Sequence, residues 1–98
     1  MFNLYDFETK FQDFETKLKE TVDGEEYEEI GKENPARVVT RIYVKMCRPQ
    51  MYFGVDKKAE YEGVVEMMAQ FIKDYPEFPE MQKFHTDFDT YVSEEFRK

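Results

Sequence analysis

Three residue types that act as nucleophiles or general bases occur once each in the chain, as Cys47, His85 and Ser93. A Cys–His dyad needs Cys47 to meet His85, and nothing in the sequence requires that meeting. His85 has Asp89 four residues further on, which is the usual setting of a helix-surface histidine beside a carboxylate. The sequence therefore predicts that the protein is not an enzyme.

Metal and phosphate sites have equally little support. The glutamates within 25–29 lack the alternating oxygen ligands and the central glycine of a calcium loop. In the run His85-x-Asp87-x-Asp89 only the first and last residues share a helix face, and one Cys and one His cannot complete a zinc site within one chain. The four glycines are isolated, so no phosphate-binding loop is present. We expect neither a metal nor a cofactor.

The distribution of charge is more informative. The 98 residues include 22 acidic and 14 basic ones, a net charge of −8. Residues 1–34 hold 11 acids and 4 bases, residues 35–58 hold 1 acid and 6 bases, and residues 59–98 hold 10 acids and 4 bases. A basic centre is thus flanked by two acidic arms. Such segregated charge steers association with oppositely charged surfaces.

The acidic arms are the first candidate surface, with a basic protein as the partner. Carboxylates recur every 5–6 Å along a helix face, a density that competes with DNA for a basic groove. Segment 20–33 is the most unusual, because seven acids there are opposed only by Lys32. Its alternative role is to fold back and neutralise the basic centre within the monomer. The candidate partner-binding residues are Glu25, Glu26, Glu28, Glu29, Glu60, Glu62, Glu66, Asp87, Asp89, Glu94 and Glu95.

The basic centre is the second candidate surface. A strand face that alternates cations and aromatic rings is of the type that stacks nucleic-acid bases. The acidic arms would repel a phosphate backbone, so nucleic-acid binding is the weaker alternative. A third alternative is a homodimeric accessory protein that pairs through exposed phenylalanines of the first helix. The residues of the basic face are Arg37, Arg41, Tyr43, Lys45, Arg48 and Tyr52.

The elements that position these residues begin with a helix. An apolar stripe at helical spacing predicts a helix over residues 3–22, capped by Asn3, with Phe7, Phe11 and Phe14 in the core. The acidic stretch that follows fits either a short helical turn or a loop, and Asn34-Pro35 ends it.

From Arg37 the pattern changes to period two and predicts an antiparallel β-hairpin over residues 37–55. Arg48-Pro49-Gln50 would form the turn. The residues expected to face inward are Val38, Thr40, Ile42, Val44 and Met46 on the first strand, and Met51, Phe53 and Val55 on the second.

Apolar stripes predict two further helices, over residues 57–74 with Asp56 as the N-cap, and over residues 80–96. The predicted order is α-β-β-α-α. This is an α+β fold in which three helices cover one hairpin, and residues 1–98 form a single domain.

The chain's size, acidity and predicted order of elements are similar to those of small inhibitor proteins as a group. These include phage-encoded inhibitors of CRISPR or restriction enzymes, and immunity proteins that neutralise nuclease toxins; the chain shares no motif with them. The longest apolar run is three residues, which excludes a membrane span, and the single cysteine favours a reducing compartment. The sequence thus predicts an inhibitor or regulator in the cytoplasm of the cell or of an infected host cell. It would be a monomer or homodimer that docks on the basic surface of a nucleic-acid enzyme.

Overall fold

Five helices make up the fold. The computed structural model describes residues 2–97, and within that range it contains no strand. The helices are α1 (Leu4–Thr21), α2 (Gly24–Glu29), α3 (Pro35–Met51), α4 (Lys57–Asp74) and α5 (Glu80–Phe96). The predicted first helix and the predicted helices 57–74 and 80–96 are confirmed. The acidic stretch, for which a turn and a loop were both open, contains the short helix α2.

Side-chain caps fix where four of the helices begin. The Oδ1 atom of Asn3 accepts a hydrogen bond from the N–H of Asp6 at 3.1 Å, and Asp56 accepts one from Ala59 at 3.1 Å. Asp23 caps α2 and Asn34 caps α3 in the same way. Each cap satisfies a backbone donor that the first helical turn leaves without a partner, so these starts are encoded locally.

Helix α1 packs against both α3 and α5 through aromatic rings. The rings of Phe11 and Tyr43 stack with their centroids 6.4 Å apart, and Phe7 meets Phe84 edge to face at 5.6 Å. These contacts bury Phe7, Phe11 and Phe14, as the sequence predicts. They also rule out pairing of two copies through the phenylalanines of α1, because those side chains already fill the core.

Helix α4 completes the arrangement by packing against the same two helices. Tyr61 meets Phe88 of α5 edge to face at 5.4 Å, and Lys45 of α3 reaches Glu60 at 3.2 Å. The four long helices surround the core in the order α1, α3, α4, α5, and the contact between Phe7 and Phe84 closes the ring between α1 and α5. Helices α3 and α5 therefore lie diagonally across the core from each other.

The predicted hairpin is wrong, and with it the α+β class and the α-β-β-α-α order, because residues 35–51 form helix α3. Its side chains are buried at spacings of three and four residues, the helical period. Val39 is fully buried although the strand pattern placed it outside, whereas Val44 is 53% exposed although that pattern placed it inside. Pro35 occupies the first helical turn, where its missing N–H costs nothing.

The second predicted strand is also wrong. Residues 52–56 connect α3 to α4, and Gly54 has a φ of 78° there, a left-handed conformation that glycine adopts without strain. Met51 and Phe53, expected to face inward, are 70% and 106% exposed. Neither residue has a sheet or a core to pack against.

In the part of the chain that the structure describes, no helix is both long enough and apolar enough to cross a membrane.

Candidate interaction surfaces

The three residues with nucleophile or base chemistry are not brought together. Cys47 lies on α3, whereas His85 and Ser93 lie on the diagonally opposed α5. Burial and the nearby Glu8 carboxylate raise the pKa of the Cys47 thiol, which disfavours the reactive thiolate. Within residues 2–97 no His, Cys, Asp and Glu side chains group in a way that holds a metal ion.

Helix α2 presents the acidic stretch at one end of the molecule. The four side chains Glu25, Glu26, Glu28 and Glu29 are all exposed. The fifth large side chain of the helix, Tyr27, turns inward as the anchor, because a six-residue helix is too short to be stable alone. The helix therefore displays four carboxylates on a surface that the rest of the protein holds in place.

The anchor is well defined. The Tyr27 hydroxyl donates to Glu77 at 2.9 Å, and its ring lies edge to face on Tyr75 with centroids 5.8 Å apart. Partial burial, reinforced by the Glu77 carboxylate, raises the pKa of Tyr27 to about 12. The link that follows α2 is fixed to α4, since Lys32 donates to the Asp74 carbonyl at 2.8 Å.

None of the four α2 glutamates forms an ion pair with any residue in the range 2–97. Where the acidic arms do meet the basic centre, the carboxylates come from outside α2. Arg41 donates two hydrogen bonds to Glu33, one of them 2.7 Å long, and these lower the pKa of Glu33. The second meeting is the pair formed by Lys45 and Glu60. Neutralisation within the monomer therefore leaves the α2 carboxylates unused.

The other predicted acidic residues are scattered over the surface. Glu60 is taken up by Lys45, while Glu62 and Asp89 share the guanidinium of Arg97, each at 2.6 Å. The hydrogen bond from Arg97 lowers the pKa of Glu62. Each of these three carboxylates already has a cationic partner within the chain, and Arg97 serves two of them.

The remaining acids lie on the outer faces of α4 and α5. Glu66 is exposed on α4, and Glu94 and Glu95 are exposed near the end of α5. Asp87 is half-buried beside Phe2 at the start of the chain. The eleven predicted acids thus do not form one surface, and only α2 gathers four of them on a single turn and a half of helix.

The predicted basic face exists only in part, and on a helix rather than a strand. Arg37, Arg41 and Arg48 are exposed and follow one face of α3, at spacings of four and seven residues. Tyr43 turns inward to stack on Phe11, and Lys45 is directed to Glu60; these two side chains leave the exposed face.

The feature that sequence reasoning missed is an apolar tip, formed by Met51, Tyr52 and Phe53 where α3 ends. The three side chains are 70%, 60% and 106% exposed. The strand prediction turned Met51 and Phe53 inward and left only Tyr52 outside. No local signal reveals the tip, because the cap at Asp56 fixes the start of α4 whether the residues before it are extended or not.

Comparison of the chain with protein-family models, with curated proteins and with solved structures finds no match in any of the three.

Proposed function

We propose that the protein is a small inhibitor or regulator that binds a basic protein surface through helix α2. The partner class is a nucleic-acid-processing enzyme, whose basic groove normally holds phosphates, and the site of action is the cytoplasm of the cell or of an infected host cell. The protein acts by occupying that groove rather than by catalysis.

The observation that carries the proposal is the display of Glu25, Glu26, Glu28 and Glu29, exposed and without ion pairs in residues 2–97. Unpaired carboxylates do not have to leave a cation of their own chain before they meet one on a partner. The anchor at Tyr27 keeps them on an ordered helix, which lowers the entropy lost on binding.

The expected contribution of this surface is mainly kinetic. Complementary potentials raise association rates from a neutral range of about 10⁵–10⁶ M⁻¹s⁻¹ towards about 10⁸ M⁻¹s⁻¹ at low salt. Screening over about 8 Å at physiological ionic strength reduces this gain, so binding should weaken as salt rises.

A pair of charge-matched variants tests the proposal. The first, named the α2 variant, changes Glu25, Glu26, Glu28 and Glu29 to Gln. The second, named the control variant, makes the same change in net charge outside α2. Its four positions are exposed acids that form no ion pair in residues 2–97. The substitutions are Asp13→Asn, Glu66→Gln, Glu94→Gln and Glu95→Gln.

Both variants and the wild type are immobilised and incubated with a nuclease-treated extract of the cells that produce the protein. We expect the wild type and the control variant to retain a basic nucleic-acid-processing protein that duplex DNA displaces, and the α2 variant to lose it. The proposal fails if all three retain the same proteins, or if the two variants lose the partner equally. Circular dichroism confirms that both variants are folded.

A further inference from the structure

Four of the six large apolar side chains that are exposed in residues 2–97 lie at the two ends of the α3–α4 pair. At one end is the apolar tip, Met51, Tyr52 and Phe53. At the other end Ile30 is 67% exposed, directly after the glutamates of α2. A cluster of exposed apolar side chains with charges at its margin, as at the tip, marks an interaction site more often than a single exposed residue does.

The charges beside the two apolar groups have opposite sign. Arg48, Lys57 and Lys58 flank the apolar tip, are exposed, and form no ion pair with any residue from 2 to 97. Asp56, the one acid between them, is used as the N-cap of α4. The tip is thus apolar with a positive margin, while Ile30 is apolar with a negative margin.

The two groups lie at opposite ends of the same pair of helices. The tip is the connection between α3 and α4, whereas Tyr27 of α2 packs on Tyr75 at the far end of α4, and Lys32 of the link that follows α2 donates to the carbonyl of Asp74. The 17 residues of α3 separate them by about 25 Å, from a rise of 1.5 Å per residue.

We propose that two copies of this chain pair side by side and antiparallel along α3 and α4, with the apolar tip of each copy against Ile30 and helix α2 of the other. A twofold axis midway between the tip and helix α2 makes both complementary contacts at once and closes the assembly. Pairing tip to tip would instead bring the lysines and Arg48 of both copies together, which opposes it.

The net charge of −8 on each copy does not prevent this pairing. Screening over about 8 Å at 0.15 M salt limits the repulsion to charges near the interface. At the two end contacts the signs are opposite, and between them Arg41 of each copy is already paired with Glu33 of the same copy. Pairing covers α2, so a copy in the dimer cannot present its glutamates to a partner. This regulatory consequence rests on the proposed function, whereas the pairing itself does not.

A charge exchange between two variants tests the pairing by sedimentation equilibrium. The tip variant is Lys57→Glu with Lys58→Glu, and the helix variant changes Glu25, Glu26, Glu28 and Glu29 to Lys. Each variant alone places like charges at both contacts of its own dimer, so we expect the dissociation constant to rise about tenfold or more. Mixing the two variants restores opposite charges at both contacts, and the mixed dimer should form with about the wild-type constant.

Further measurements separate the pairing from its rivals. Phe53→Ser should weaken the wild-type dimer without unfolding the protein, because Phe53 is fully exposed. The proposal is overturned if the wild type stays monomeric at millimolar concentration, or if the mixed variants pair no better than either alone. It is also overturned if the monomer binds phosphatidylserine vesicles through Phe53 and the lysines, since the tip is then a membrane contact. The tip variant keeps all the α2 glutamates, so partner capture by it reports on the proposed function whatever the outcome for pairing.

Discussion

The substitution Phe11→Ala tests whether the aromatic cluster is the source of stability. Phe11 is completely buried and its ring contacts the rings of Phe7, Phe14, Tyr43 and Phe84. Removing about 150 Å² of buried apolar surface at about 25 cal/mol per Å² costs about 4 kcal/mol. This agrees with the range of about 3–5 kcal/mol that is typical of Phe→Ala in a core, where the size of the remaining cavity sets the value. A domain of this size has a free energy of unfolding of about 5–15 kcal/mol, so the loss is a large fraction of it.

Phe53→Ala is the matched control, because it removes the same atoms from a side chain that is fully exposed. We expect it to change the free energy of unfolding by less than about 0.5 kcal/mol. Urea denaturation followed by circular dichroism measures both, at protein concentrations low enough to keep the chain monomeric. With a slope of about 1.5 kcal/mol per M, Phe11→Ala should lower the midpoint by about 2–3 M. A loss below about 1 kcal/mol for Phe11→Ala, or equal losses for the two variants, would refute the assignment of α1 to the core.

Three smaller predictions follow from the ionisable groups. The pKa of Tyr27 is raised to about 12, so its contribution to stability is complete below pH 10 and is lost as the pH rises through 12. In a titration followed by tyrosinate absorbance, Tyr27→Phe should remove a step near pH 12. Removal of a step near pH 10 would contradict the anchoring role of Tyr27. The lowered pKa of Glu33 means that its pairing with Arg41 stabilises the fold above the ordinary carboxyl pKa of 4.5 and stops doing so as the pH falls through the lowered value. Arg41→Gln should therefore cost at most about 1 kcal/mol at pH 7 and nothing in strong acid, and an equal cost at both pH values, measured by urea midpoints, would count against the pair. Because burial raises the thiol pKa of Cys47, its alkylation at pH 8 should be much slower in the folded protein than in urea, and equal rates would show that the thiol is open to solvent.

Three of the long helices could be predicted from the sequence because the signals that determine them lie within each helix and its cap. A cap residue such as Asn3 or Asp56 marks each of two starts, and apolar residues repeat at the helical period over four or five turns. Such patterns have no competing interpretation as strands. The predicted bounds of α4 and α5 agree with the structure at both ends.

Helix α3 could not be predicted, because two patterns coincide in it. Ile42 and Met46 are four residues apart, so they fit both an alternating strand and a helix face, and the β-branched neighbours favour the strand by propensity. Val39 and Val44 distinguish the patterns, but only packing against α1 and α4 decides which of them is buried. The pair Asn34-Pro35 carried the missing local signal, since it caps and opens α3 as well as ending what precedes it.

For the candidate surfaces, too, one part could be predicted from the sequence and another part could not. That Glu25, Glu26, Glu28 and Glu29 are exposed follows from their charge and spacing. Their lack of ion pairs within residues 2–97 could not be predicted from the sequence. It depends on the pairing of Arg41 with Glu33 and on where the other cations lie in three dimensions. The apolar tip depends on α3 being a helix, so the error in the hairpin concealed it.

Whether helix α2 is the binding surface can be measured as the association rate of the captured partner with the wild type, the α2 variant and the control variant across a salt series. We expect the wild type and the control variant to associate rapidly at low salt and to slow down steeply as salt rises. The α2 variant should associate at least about tenfold more slowly at low salt and depend only weakly on salt. An α2 variant that associates as fast as the wild type, with the same dependence on salt, would contradict the assignment of binding to helix α2.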